Sequence, residues 1–284
     1  MTVMNSYVTV DLGATSGRVV VGRLERGRLE VAEVHRFRNE PSGSGREQHW
    51  DAEELFRQTI IGLRHAAAQL DGAAAGMGVT AWGVDVGLLD NNDRLLAPIQ
   101  HYRAADPEAS QHLVDRLGAE ELFARTGVLP QPINTVFRIR KVVDAAGAAT
   151  KSEGVRALLV PDLWCALLTG ARAAERSIAS TTGLVSLRTG TWDMGLLDAV
   201  GGTAKARAPR SRACYRTRRL LVPSNKPSTS VLRNSSPART SYAQSRCNAG
   251  PRAWRPLRHL PKSPAASRRV LRLRTDTQSI SASG

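Results

Sequence analysis

A chain of 284 residues, 42% of them apolar, is long enough to bury one large core or two ordinary ones, so size excludes little. Its formal net charge of +15 would ordinarily point to nucleic acid or an anionic surface. That charge is unevenly placed: residues 1–200 carry 21 Lys and Arg against 24 Asp and Glu, net −3, whereas residues 201–284 carry 19 against the single Asp276, net +18. The body is mildly acidic, and the basic character belongs to the tail alone. Cys165 lies in an apolar run and Cys214 and Cys247 in the tail, with no zinc-site or redox spacing. No secretory start and no run of ~18 apolar residues is found, so a cytoplasmic protein without a membrane partner is expected.

In chain order, "YVTVDL" (7–12), "RVVVGRL" (18–24) and "LEVAEVHRF" (29–37) read as three strands of an antiparallel meander, joined by "GATSG" and by a turn around Gly27. After the loop "EPSGSGREQ", Asp51 caps a helix, with Glu54 three residues on completing a capping-box pattern. Leu55, Phe56, Ile60, Leu63, Ala67 and Leu70 then recur at near-helical spacing, so one helix face packs on the sheet. Residues 76–90, "GMGVTAWGVDVGLLD", read as the next strand. Helices follow over 107–125, 134–146 and 161–169, the last ending at Gly170. Strands first, then helices alternating with strands, predict an α/β layer structure.

Two stretches carry candidate chemistry. In "DLGATSGR", Gly13 and Gly17 permit a tight turn whose backbone N–H groups can converge on phosphate oxygens. Thr15 and Ser16 add hydroxyls, Arg18 a fixed cation, and Asp11 a carboxylate suited to Mg2+. An ordinary capped hairpin has the same composition, and because the turn leads into a strand it is neither a P-loop nor a dinucleotide fingerprint. In "WGVDVGLLD", Asp85 interrupts an apolar strand, where a carboxylate needs either local backbone partners or substrate hydroxyls. The six histidines are scattered without ligand spacing. Neither stretch decides the function alone.

Taken in order, "VDLGATSGRV", "HRFRN", "HWDAEEL", "WGVDVGLLD", "NTVFRI", "LLVPDLWCALLTG", "STTGLVSL" and "WDMGLLDAVG" resemble the N-terminal domain of the FGGY carbohydrate kinases, most closely their rhamnulokinase branch, over residues 8 to about 200. The resemblance implies an actin-like, ribonuclease-H-like fold with a mixed sheet flanked by helices. It implies transfer of the ATP γ-phosphate, with Mg2+, to a sugar hydroxyl, here position 1 of L-rhamnulose. Carried over by position, Ala14, Thr15, Ser16, Gly17 and Arg18 contact the ATP phosphates and Asp11 sits near Mg2+. Trp82, Gly83 and Asp85 face the sugar. Two local departures stand out: Tyr102-Arg103-Ala104 replaces a common Tyr-Arg-Asp, and Val86-Gly87 stands where bulkier residues are usual.

The resemblance stops near Val200. Between Asp198 and Asp276 there is no Asp or Glu, so the family's catalytic carboxylate base cannot come from that interval. Residues 1–200 are thus expected to form an incomplete kinase N-terminal domain without its catalytic residue. Residues 201–284, rich in Arg, Ser and Pro, read as a mostly disordered basic tail in a shifted reading frame. The alternatives are another FGGY kinase, acting on xylulose, gluconate, fuculose or glycerol, a sugar-binding remnant without catalysis, and a nucleic-acid-binding protein working through its tail. With three scattered tail aromatics, nucleic acid is not the expected partner.

Overall fold

A computed structural model describes residues 5–70, 72–151, 155–201 and 268–272. Strands β1 (Asn5–Leu12), β2 (Ser16–Glu25) and β3 (Arg28–Arg38) form the expected antiparallel meander. Alternation sends Val8, Val10 and Leu12 of β1 and Val19 and Val21 of β2 into one buried face. A bulge sets the β2–β3 register, since Val19 pairs with His35 while Val20 pairs with Glu33.

Strands β4 (Pro41–Ser42) and β5 (His49–Trp50) then lead into α1 (Ala52–Ala68). Asp51 caps this helix by accepting from the Glu54 N–H at 2.9 Å, as expected. Glu54 does not complete a capping box, because its carboxylate is drawn to Arg57 at 2.6 Å. Leu55, Leu63 and Ala66 turn to the sheet, and helix and strand meet closest at Gly62, where an added Cβ would lie 2.4 Å from Val19 Cγ2.

The expected single strand over 76–90 is two strands. β6 (Gly76–Ala81) runs parallel to β1, whereas β7 (Val86–Leu89) pairs antiparallel with β9 (Arg156–Leu159) in a separate sheet. The break is at Val84, whose φ of 64° ends the pleat. Between β7 and β9 come β8 (Ile99–Gln100), which pairs with β5, and helices α2 (Pro107–Leu117), α3 (Ala119–Thr126) and α4 (Thr135–Ala146). The helix expected over 107–125 is thus broken, because Gly118 at φ 82° and ψ 130° leaves helical geometry.

Helix α5 (Val160–Thr169) is almost wholly buried, Asp162 included, and stops at Gly170 in the left-handed region. Its Trp164 indole donates to Thr59 Oγ1 at 3.0 Å, tying α5 to α1. Short helices α6 (Arg176–Ser180) and α7 (Met194–Ala199) complete a second cluster with α2–α4, built on Leu113, Leu122, Val136, Ile139, Leu184 and Leu196.

The expectation of disorder over 201–284 falls outside the described residues except at 201 and at 268–272, which form β10 (Arg268–Arg272), antiparallel to β3 at the edge of a five-stranded sheet ordered β10-β3-β2-β1-β6. Among the described residues, no helix is long and apolar enough to cross a membrane.

Candidate functional site

The turn between β1 and β2 is closed by the Gly13 N–H donating to the Ser16 carbonyl at 2.9 Å. Both of its glycines are required by contact. A Cβ on Gly13 would lie 2.8 Å from Ser16 O, and one on Gly17 would lie 2.2 Å from Phe37 Cζ. Ala14 and Thr15 are exposed, and their N–H groups have no partner among the described residues. Asp11 and Arg18 face each other across the hairpin and pair at 2.6 Å, Arg18 Nε donating to Asp11 Oδ2. Arg36, next along on β3, approaches Ser16 Oγ at 3.5 Å while forked onto Glu33. The loop therefore offers free backbone donors, two hydroxyls and a guanidinium on one surface, a set that suits phosphoryl oxygens.

The second candidate stretch forms the turn from β6 to β7. Val84 is held in its uncommon conformation from both sides: its N–H donates to Thr181 Oγ1 at 3.1 Å, and its carbonyl accepts from Thr135 Oγ1 at 2.6 Å. Gly83 is pressed against Thr181, whose Oγ1 would be 2.7 Å from an added Cβ. Trp82 is half-buried, its ring centroid 4.1 Å from that of Trp50. Trp50 in turn meets His101 at 4.2 Å, and His101 stacks on Tyr102 at 4.4 Å.

Asp85 lies behind this aromatic wall with none of its surface exposed. Oδ2 accepts from Trp50 Nε1 at 2.6 Å and Trp82 Nε1 at 2.9 Å, and Oδ1 accepts from Arg138 Nη1 at 2.6 Å. Asp85 is turned inward, because a buried carboxylate is stable only where donors surround it. Burial pushes its carboxyl above the usual range, opposed by the Arg138 guanidinium and the two indoles. Burial likewise holds His101 down to about 4, helped by the Arg103 and Arg138 charges.

The register brings the two stretches together. Leu12 pairs with Ala81 across the parallel β1–β6 ladder, so the Gly13–Thr15 turn and the Trp82–Asp85 turn leave the same end of neighbouring strands. Spacing along the sequence did not identify Trp50, Thr135, Arg138 or Thr181 as parts of this site, although each sits inside a stretch already singled out: "HWDAEEL", "NTVFRI" and "STTGLVSL". The two local departures also have physical readings. Ala104 is buried where a carboxylate is usual, and a Cβ on Gly87 would lie 2.9 Å from Leu163 Cδ2.

Comparisons with known proteins give the family and the fold. The FGGY family of carbohydrate kinases, N-terminal domain, matches residues 6–212. Relatives named "Rhamnulokinase" include that of Oceanobacillus iheyensis, 31% identical over 197 residues covering 68% of this chain and 41% of the relative. That of Pectobacterium carotovorum is 34% identical over 201 residues, covering 70% and 40%. The chain spans about two fifths of the length of the curated relatives it matches. Among solved structures, a gluconate kinase from Lactobacillus acidophilus aligns with a TM-score of 0.63 at 18% identity, over 74% of this chain and 42% of that one. A xylulose kinase from Rhodospirillum rubrum aligns at 0.62 and 22% identity, over 75% and 43%. The shared fold is the actin-like ATPase fold of these sugar kinases.

Proposed function

Because this chain belongs to the FGGY family of carbohydrate kinases, we propose that the Gly13–Arg18 loop and the Trp82–Asp85 turn form one wall of a cleft in which the ATP γ-phosphate passes to a sugar hydroxyl. The observation that carries this reading is the parallel β1–β6 register, which supports a phosphate site and a sugar site at one end of one sheet. The relatives' name supports L-rhamnulose as the sugar, with L-rhamnulose 1-phosphate as product, and a cytoplasmic location follows from the same reading.

The residues fit the groups this reading requires. The free N–H groups of Ala14 and Thr15, the Thr15 and Ser16 hydroxyls, the tight turn at Gly17 and the Arg18 guanidinium suit phosphoryl oxygens. Asp11 spends Oδ2 on Arg18 and keeps Oδ1 without a partner among the described residues, which suits Mg2+ held through one carboxylate, phosphate oxygens and water. Bound MgATP supplies the phosphoryl group and neutralises much of its charge. The chain's own part is positioning: the loop fixes the phosphates, Trp82 and Gly83 line the sugar, and Asp85 holds the Trp50 and Trp82 indoles in place. No residue of this chain is assigned as the base that accepts the hydroxyl proton.

Residues 1–200 are read as the kinase unit and 201–284 as out-of-frame sequence. Resequencing across codons 195–210 tests this. A second domain with a His-Asp-Thr stretch in another frame supports the reading, and one uninterrupted frame to Gly284 counts against it. The chain 1–284 alone is then expected to show no sugar-dependent ATP consumption. The restored enzyme is expected to phosphorylate L-rhamnulose in preference to xylulose, gluconate, fuculose or glycerol. Turnover by the 284-residue chain would count against the reading of residues 201–284 as out of frame.

A further inference from the structure

The Gly13–Gly17 loop is not held by its own hairpin alone. At the end of β3, Asn39 reaches it twice: the backbone N–H donates to the Thr15 carbonyl at 3.1 Å, and Nδ2 donates to the Gly13 carbonyl at 2.7 Å. Asn39 is 3% exposed, and its Oδ1 is buried without a partner, so the side chain is committed to the loop through its amide donor. The Gly13 carbonyl fixes the orientation of that amide, since an oxygen facing it would be repelled.

We propose that Asn39 is a positioning residue for phosphate binding, a role that rests on the phosphate-loop reading above. By drawing the Gly13 carbonyl toward β3, Asn39 keeps that acceptor oxygen turned away from the ligand surface and leaves the Ala14 N–H as a donor, while its backbone bond to the Thr15 carbonyl anchors the other side of the loop. A peptide unit can aim only one of its two poles at an anion. The Gly13 carbonyl and the Ala14 N–H belong to the same peptide unit, so the bond that fixes one fixes the other. Without the Asn39 amide, that unit is free to rotate and an anion must pay its ordering cost. The ligand class is a polyphosphate, the triphosphate of a nucleotide.

The test titrates the 15N-labelled full chain with magnesium ATP and with inorganic tripolyphosphate, following the Ala14 and Thr15 amides. The parent chain is expected to show saturable shifts at both. Asn39→Ala is expected to weaken both ligands about tenfold, the equivalent of one hydrogen bond to a charged group. Amide exchange in β1 and β2, and the near-ultraviolet circular dichroism of the Trp50–Trp82 pair, should stay at parent values. Asn39→Asp, whose carboxylate has no N–H to donate to Gly13, is expected to bind as weakly as Asn39→Ala at pH 8. Arg18→Gln is the reference variant. If it weakens binding and Asn39→Ala does not, the proposal fails while the phosphate reading stands. If Asn39→Ala also accelerates exchange throughout β1 and β2, Asn39 is merely structural and the proposal fails. No shifts in the parent chain would overturn the phosphate reading and this proposal together.

Discussion

Replacing Arg138 with Met strips Asp85 of its only cationic partner among the described residues while keeping a long side chain in the core. The pair is desolvated on both sides, Asp85 at 0% and Arg138 at 5% exposure, with 2.6 Å between them. Removing one half of such a pair costs about 3–5 kcal/mol. The Trp50 and Trp82 indoles stay to solvate the carboxylate, which lowers the cost. The Gln100 and Ile133 carbonyls lose the guanidinium N–H groups at 2.8 and 3.3 Å, which raises it again. The expected loss is therefore about 4 kcal/mol, a large part of the ~5–15 kcal/mol that holds a domain folded.

Urea unfolding followed by tryptophan fluorescence measures this directly, because Trp50 and Trp82 both touch Asp85. The loss should depend on pH in a defined direction. Burial already pushes the Asp85 carboxyl up, and without Arg138 the main opposing influence is gone. A carboxyl with a raised folded-state value favours folding at lower pH, so the gap between variant and parent should narrow from pH 8 to pH 5. Asp85→Asn combined with Arg138→Met should recover at least about 1 kcal/mol relative to Arg138→Met, since no uncompensated charge is left buried. A loss below about 1 kcal/mol, or a double variant no better than the single one, would show that the pair does not hold this wall.

Gly17→Ala is expected to destabilise by about 1–3 kcal/mol, seen as a lower thermal midpoint, because the new methyl group falls 2.2 Å from Phe37 Cζ. Adding Phe37→Leu should restore part of the loss, and an unchanged midpoint in Gly17→Ala would contradict the contact. His101 gives a second pH dependence. Its Nδ1 accepts the Arg103 N–H at 3.0 Å and its folded-state value is held at about 4, so the neutral ring belongs to the fold. Its contribution is complete above the unfolded value of about 6.5 and is lost as pH falls through about 4, at up to about 1.4 kcal/mol per pH unit. His101→Gln should flatten that part of the pH–stability curve, and an equally steep slope in the variant would assign it to other groups.

Much of the fold can be read from local pattern because strand alternation and glycine turns are properties of neighbouring residues. The meander of β1, β2 and β3, the Asp51 cap of α1 and the Gly170 stop of α5 all lie where short-range chemistry puts them. The phosphate-loop candidate could be identified for the same reason, since its glycines, hydroxyls, Asp11 and Arg18 fall within eight consecutive residues. The break at Val84 could not. A β-branched residue in an apolar run reads as strand, and Thr135 and Thr181, 51 and 97 residues away, hold it at positive φ.

The same distinction governs Asp85. Its sequence neighbourhood gives a polar residue in an apolar strand, with substrate hydroxyls and local backbone equally able to satisfy it. Beside the nearby Trp82, its partners Trp50 and Arg138 lie 35 and 53 residues away on β5 and α4. Sequence by itself determined most of the elements, the candidate glycine loop and the family, because periodicity, turn chemistry and ordered motifs are written along the chain. Only tertiary structure decided which way Asp85 faces and that the two candidate turns share one end of the sheet, because burial and strand register arise between residues that the chain does not place side by side.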